Sequence, residues 1–263
     1  MTEPALTVII PAYNCADYIE ETVNSVLKQT FSDFEVIVID DVSTDNSLQL
    51  LNQLASADSR IRILSSATNS GQAACRNRGV REARGRYIAF LDADDVWLPR
   101  KLERQIEFMT ERKLPFCFCG YGTINEHGDT IIGDLKIPER TEFYALLKSN
   151  TICASSVVYD RQSMDDIVMP ERPRRREDLI SWLATSRALG GYLYGVPDPL
   201  CMIRRLPGSS SSNKLRALRW QWAVYREVLG FGLLRSVYYL ANFAITSLAK
   251  RSPISVALKR QVK

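Results

Sequence analysis

The first hundred residues alternate between two kinds of apolar pattern. Short continuous runs occur at 7–10, 34–39, 61–64 and 87–91. Between them, apolar residues recur at helical spacing: Ile19, Val23, Val26 and Leu27 in one segment, Leu48, Leu51 and Leu54 in the next. Residues 71–83 and 99–109 extend the helical series, with Pro99 placed for a first turn. Strands apolar on both faces, separated by amphipathic helices, predict a parallel sheet covered on both sides. Such a βαβ series makes a nucleotide-binding α/β fold the default expectation.

The second half is less regular. Runs at 116–121 and 130–132 flank "NEHGD", which reads as a hairpin turn, and His127 reads as a turn residue rather than a ligand. Residues 151–159 read as one strand, 177–189 as a helix, and 192–196 and 200–204 as two strands. "PGSSSSNK" at 207–214 has the composition of a loop, and 214–229 and 233–250 have helical patterns.

Composition changes this picture little: 46% hydrophobic and 24% charged is ordinary for a globular chain with a sizeable core. Six cysteines form no C-x-x-C pair, and the chain has one histidine, which argues against structural zinc and for scattered buried thiols. "MTEPALTVIIPAYN" lacks a basic start and a long apolar stretch, so it reads as a strand and not a signal peptide. Charge is informative. Residues 214–263 hold ten Lys/Arg and one acid, a net +9, leaving −5 for the remainder of a chain whose total is +4. A basic tail on an acidic body points to an anionic partner surface, membrane or nucleic acid.

Candidate chemistry sits at the strand ends. "VIVIDDVSTDNS" (36–47) and "YIAFLDADDVW" (87–97) both finish an apolar run in carboxylates. Ligands of open α/β sheets bind beyond such ends. An aspartate there also caps turns and helices, and both readings stand for Asp40 and Asp45. Crowding Asp92, Asp94 and Asp95 into four residues gains folding nothing, so something must compensate. A divalent cation, Mg²⁺ or Mn²⁺, bridging a nucleoside diphosphate is the usual answer.

"LTVIIPAYN", "VIVIDDVSTDNS", "NSGQAACRNRGVREARGRYIAFLDADDVWLPRKL" and "REDLISWL" occur in that order. Together they resemble family 2 glycosyltransferases with a GT-A fold, of the bacterial surface-polysaccharide kind. The resemblance runs from about Leu6 to about Lys214. It implies a catalytic domain over 1–213, with 1–115 binding the nucleotide sugar and 116–213 the acceptor. It implies that Pro11, Ala12 and Tyr13 line the base. Asp41 would accept from the uracil N3–H. Asn69, Gly71 and Arg76 would border base and diphosphate, and Asp92 would approach the ribose. Asp94, with Asp95 beside it, would hold the Mn²⁺ or Mg²⁺. Val42 stands where the family usually has Gly, and Cys75 where Ala is usual.

The resemblance also makes Asp178 the base that takes the acceptor hydroxyl's proton, with Glu177 in support. Acids at a helix start also favour the macrodipole, and that plainer reading stays open. Arg172, Arg174, Arg175 and Arg176 make a basic loop: a solvated charge run, or a contact for an acceptor's pyrophosphate. Arg204 with "PGSSSSNK" resembles a family segment that would close over the donor diphosphate, with Ile203 in place of Tyr. Residues 236–249 carry no charge but are too short to span a bilayer. With Trp220, Trp222, Tyr225, Tyr238 and Tyr239, the tail over 214–263 fits an interfacial amphipathic helix, or else a subdomain packed on the core.

The implied activity is inverting, metal-dependent transfer from a nucleotide sugar, a UDP-sugar first. The acceptor would be an undecaprenyl-pyrophosphate-linked oligosaccharide at the cytoplasmic face of the membrane. Nucleic acid is not expected, because the upstream motifs explain nothing there. A polyprenyl-phosphate hexose synthase and a non-catalytic nucleotide-sugar-binding subunit are the rival readings.

Overall fold

A computed structural model describes residues 3–135, 137–172, 176–206 and 214–249. Strands β1 (Leu6–Ala12), β2 (Phe34–Asp40), β3 (Ile61–Ser65) and β4 (Tyr87–Phe90) pair in parallel in the order β3-β2-β1-β4. Helices α1 (Ile19–Leu27), α2 (Ser47–Ala57) and α3 (Gln72–Glu82) make the crossovers. Alternation within each strand splits the core into two layers. Val8, Ile10, Val36 and Val38 pack with α1 on one face. Ile9, Ile37 and Ile39 pack with α3 on the other. Gly79 lets α3 approach β1, since a Cβ there would lie 2.4 Å from the Ile9 side chain.

The chain continues through β5 (Val96–Trp97), α4 (Lys101–Arg112), β6 (Phe116–Ile124), β7 (Thr130–Leu135), β8 (Arg140–Glu142) and α5 (Phe143–Lys148). It then forms β9 (Val158–Asp160), α6 (Glu177–Ala188) and β10 (Tyr192–Arg204). The sheet extends past β4 as β9-β6-β10-β5, with β7 on β6 and β8 on β10. Because β9 runs antiparallel to both β4 and β6, the sheet is mixed.

Two expectations are corrected here. Residues 151–159 are not one strand: Ala154–Ser156 form a 3₁₀ turn and only the end joins the sheet. Polar demands on Ser155 pull it out of extended backbone; its hydroxyl and carbonyl both serve the Asp92–Trp97 segment. Residues 192–204 are one strand, not two. Pro197 and Pro199 lack an N–H, so they shift the register against β6 instead of ending the strand. The turn at 125–129 is as expected, with Asn125 Oδ1 accepting from the N–H groups of His127 and Asp129. All six thiols are free. Trp97 is a packing residue, buried with its Nε1–H donated to Ser155 O.

Helices α7 (Lys214–Ala223) and α8 (Leu233–Ala249) are joined through a π-helical turn, Val224–Val228. They do not stand apart from the rest of the fold. Tyr225 is fully buried, stacks on Phe231, and donates its hydroxyl to Leu147 O at the end of α5. Thr246 donates to Lys148 O. The opposite side of α8 exposes Leu233, Leu234, Val237, Tyr238 and Ile245. No helix among the described residues is long and apolar enough to cross a membrane. The calls on 207–213, Arg174, Arg175 and 250–263 lie outside the described residues.

Candidate active site

Side-by-side strands β1 and β2 end in register, Ala12 opposite Asp40. Beyond them a chamber of about 290 Å³ is lined by Pro11, Ala12, Tyr13, Asp41, Asn69 and Asp94 among others. The Tyr13 ring is 51% exposed, available for packing against a ligand. Asp41 is buried and does more than face the chamber. Its carboxylate accepts from the Ser70 N–H at 2.9 Å, the Gly71 N–H at 2.7 Å and the Ser70 hydroxyl at 3.0 Å. Asn69 Nδ2 donates to the Asp41 carbonyl at 3.2 Å. Gly71 has φ +87°, a conformation that favours glycine. Burial works to raise the Asp41 carboxyl, but the donors from Ser70 and Gly71 outweigh it and hold it below the usual range. Ser70 was missed in the sequence; a lone serine between Asn and Gly carries no signal of its own. Asp40 faces the next turn, 3.4 Å from the Ser43 N–H.

The "DADD" carboxylates occupy three environments. Asp92 pairs with the buried Arg76 guanidinium. Asp95 is buried, accepting from the Ser155 hydroxyl and, at 2.9 Å, from the Arg204 N–H. Both Asp95 oxygens are thus engaged within the protein, which makes it a strut rather than an available ligand. No side chain donates a hydrogen bond to the Asp94 carboxylate among the described residues. Burial, then the Asp92 charge, push it up to about 6. No cluster of three ready ligands exists among the described residues. One unpaired, proton-hungry carboxylate fits a Mg²⁺ or Mn²⁺ completed by substrate phosphates.

Arg204 is not in the cleft. Its side chain is 1% exposed. Nε donates to Asp94 O at 2.8 Å, Nη1 to Asn125 O at 3.1 Å, and Nη2 reaches the Glu21 carboxylate. The guanidinium braces the peptide behind Asp94, so its expected place on the donor is corrected: β10 carries it beneath the acidic turn.

A second chamber of about 580 Å³ shares Gly71 and Gln72 with the first. Its walls include Arg76, Asp92, Arg176, Glu177, Asp178 and, from α7, Trp220. Asp178 lies in the first turn of α6. Burial raises its carboxyl above the ordinary value, against the Leu179 N–H and the Arg176 and Arg76 charges. Asn150 Nδ2 donates to Asp178 Oδ2 at 3.0 Å. Asn150 lies in a segment without periodic signal, so nothing in the sequence singles it out. Donation to a carboxylate favours its charged form, so Asn150→Ala is expected to raise the Asp178 pKa further. The acid limb of the kcat/KM profile should then move to higher pH, while activity at pH 8.5 falls less than at pH 6. A profile that only scales down, with no shift, would assign Asn150 a packing role.

Val42 adopts φ +66°, a left-handed conformation that is costly for a β-branched residue. At 38% exposure it has little packing to lose. Relief of about 1–2 kcal/mol of strain, less about 0.5–1 kcal/mol of glycine entropy, makes Val42→Gly stabilising by about 1 kcal/mol. A thermal melt should show a gain of about 2–4 °C. Cys75 is inert where it stands: burial, then the Asp41 charge, push its thiol up to about 11.

Known proteins resemble this chain at each level. The family model described as "Glycosyl transferase family 2" matches residues 7–187. A Bacillus subtilis protein named for teichuronic acid biosynthesis, the glycosyltransferase TuaG, is 38% identical over 95% of this chain and 98% of its own. The Escherichia coli protein WfgD, named UDP-Glc:alpha-D-GlcNAc-diphosphoundecaprenol beta-1,3-glucosyltransferase, is 34% identical over 96% and 97%. Staphylococcus aureus TarS, solved with UDP, superposes with a TM-score of 0.65 at 22% identity, covering 98% of this chain and 75% of that one. The mannosyltransferase PcManGT of Pyrobaculum calidifontis, solved with GDP-Man and Mn²⁺, gives 0.61 at 19%, covering 99% and 79%. The architecture is thus the GT-A fold, and the chain belongs to glycosyl transferase family 2.

Proposed function

We propose that the protein is an inverting, metal-dependent transferase. It moves a hexosyl or N-acetylhexosaminyl group from a UDP-sugar to a lipid-linked oligosaccharide. The product would serve surface-polysaccharide synthesis of the O-antigen, capsule or exopolysaccharide kind. The observation that carries this reading is the junction of the two chambers at Gly71 and Gln72. One chamber offers a base-sized wall with Asp41 and Asp94; the other offers the buried carboxylate of Asp178. The names of WfgD and of the UDP-bound TarS support donor and acceptor class.

In this reading the Asp41 carboxylate, oriented by the Ser70 and Gly71 N–H groups, accepts from the uracil N3–H, and Asp92 approaches the ribose. Asp94 would hold a Mn²⁺ or Mg²⁺ beside the donor diphosphate. A bound cation supplies positive charge to the leaving diphosphate. Asp178 accepts the proton of the acceptor hydroxyl as that oxygen bonds to the anomeric carbon. The electrons of the broken bond leave with the diphosphate, so no second acid and no covalent intermediate are needed. Glu177 adds negative charge beside Asp178, and Arg76 fixes Asp92. Peripheral attachment at the inner face of the membrane uses the exposed apolar side of α8.

The test is nucleotide release from a panel of nucleotide sugars, with and without Mn²⁺, and with and without a sugar-diphosphate-lipid. UDP release that needs both cation and lipid acceptor is the expected result. Release that ignores the acceptor, or no release from any donor, would sink the reading. A polyprenyl-monophosphate sugar product would replace the acceptor class.

A further inference from the structure

On the far side of Trp220 lies a second concavity. Trp220 is a wall of the reaction chamber and also of a groove along α7, floored by Leu218, Trp222 and Leu240. Arg216, Arg219, Trp220, Ala223 and Glu227 follow one another at helical spacing, so they form one stripe. The two arginines stand at the end nearer the chamber, because their neighbours Ala217 and Trp220 line it. Glu227 lies further along the same helical stripe, and Leu240 joins the lining from α8. Leu240, Val237 and Leu233 share a face of α8, and the last two are 51% and 61% exposed. Trp220 thus joins the reaction chamber to a groove that carries guanidinium and apolar side chains together, next to the exposed apolar face of α8.

We propose that this groove binds the prenyl-diphosphate portion of the acceptor, which rests on the transferase reading above. Its two chemistries, guanidinium and apolar, beside the reaction chamber match the two non-sugar parts of such an acceptor. The sugar would enter the chamber beside Asp178. The diphosphate would meet Arg216 and Arg219, whose guanidinium forks suit phosphate oxygens. The isoprenoid would cover Leu218, Trp222 and Leu240 and leave along Val237 toward the bilayer. Glu227, further along the stripe, is kept away from the diphosphate.

The test uses the full chain, with the pair R216A/R219A and the single change L218Q. Farnesyl diphosphate, which lacks a sugar, is titrated by calorimetry. Transfer is measured to one sugar diphosphate bearing a long alkyl chain and to the same sugar diphosphate bearing a methyl group. R216A/R219A should weaken farnesyl diphosphate by about tenfold or more, the scale of losing hydrogen bonds to a charged group. It should raise the long-chain KM by a similar factor, with kcat and donor KM within about twofold. L218Q should raise the KM of the long-chain acceptor alone. Unchanged melting temperature and UDP affinity show that the variants fold. If farnesyl diphosphate binds wild type and variants equally, or not at all, the groove assignment is overturned even where transfer proceeds. If L218Q impairs both acceptors equally, it is also overturned. If farnesyl diphosphate binding depends on the groove but neither acceptor is used, the groove stands and the transfer reading falls.

Discussion

Asp178→Asn is expected to lower the rate of sugar transfer by about 10³-fold, the middle of the range for a lost general base. Donor affinity should stay within about twofold, because the base chamber is built on Asp41, Ser70 and Gly71. The replacement is isosteric and Asn150 remains beside it, so a collapse of the cleft would not explain the loss. Burial raises the Asp178 carboxyl in the folded state. Its carboxylate form, the one that can accept a proton, is therefore lost as pH falls through that raised value, above the ordinary ~3.9. The same shift has a stability sign. The folded protein binds the proton more tightly than the unfolded chain, so stability drops as pH rises through the window between the two values. Asp178→Asn removes that cost. Its melting temperature should exceed wild type at pH 7.5 and lose the advantage near pH 3. A variant that keeps more than a tenth of the rate would remove Asp178 from the base role.

Asp94→Asn is expected to abolish stimulation by Mn²⁺ or Mg²⁺ and to cost transfer about 10³-fold, since metal charge at a leaving group is worth several kcal/mol. The companion experiment is at Asp95. Asp95→Asn can still accept from the Arg204 N–H and can donate to Ser155 Oγ, so cation dependence should survive. Asp95→Ala strands two buried donors and should destabilise by about 1–3 kcal/mol for each one left unpaired. If Asp95→Asn loses the metal response while Asp94→Asn keeps it, the ligand and the strut have been interchanged.

Much of this was readable before any coordinates. The apolar runs gave β1 to β4, because buried parallel strands need no alternation and helices between them announce themselves by period. The acidic strand ends located both chambers for the same reason: carboxylates crowded at a sheet edge need an explanation. Arg204 defeated sequence reading because an arginine near a Ser-rich loop looks like an anion contact. Only the sheet shows that it lies under Asp94, with Glu21 and two loop carbonyls around it. Asn150 and Ser155 were invisible because their value lies in long-range hydrogen bonds to aspartates, from segments without periodic signal. The tail was legible as helix but not in its contacts. Its packing side and its exposed side are both apolar, so composition could not separate them.

The burial of Tyr225 under α5 makes the tail and the catalytic lobe a single cooperative unit. A truncation after residue 213, designed to free the enzyme from a surface, would open the apolar cluster that holds α5 and α6, and with it the wall carrying Asp178. The converse follows by linkage: a ligand that engages α8 only when it is folded lends its binding free energy to the whole enzyme. If lipid is the ligand of α8, as proposed, thermal half-life should lengthen on vesicles.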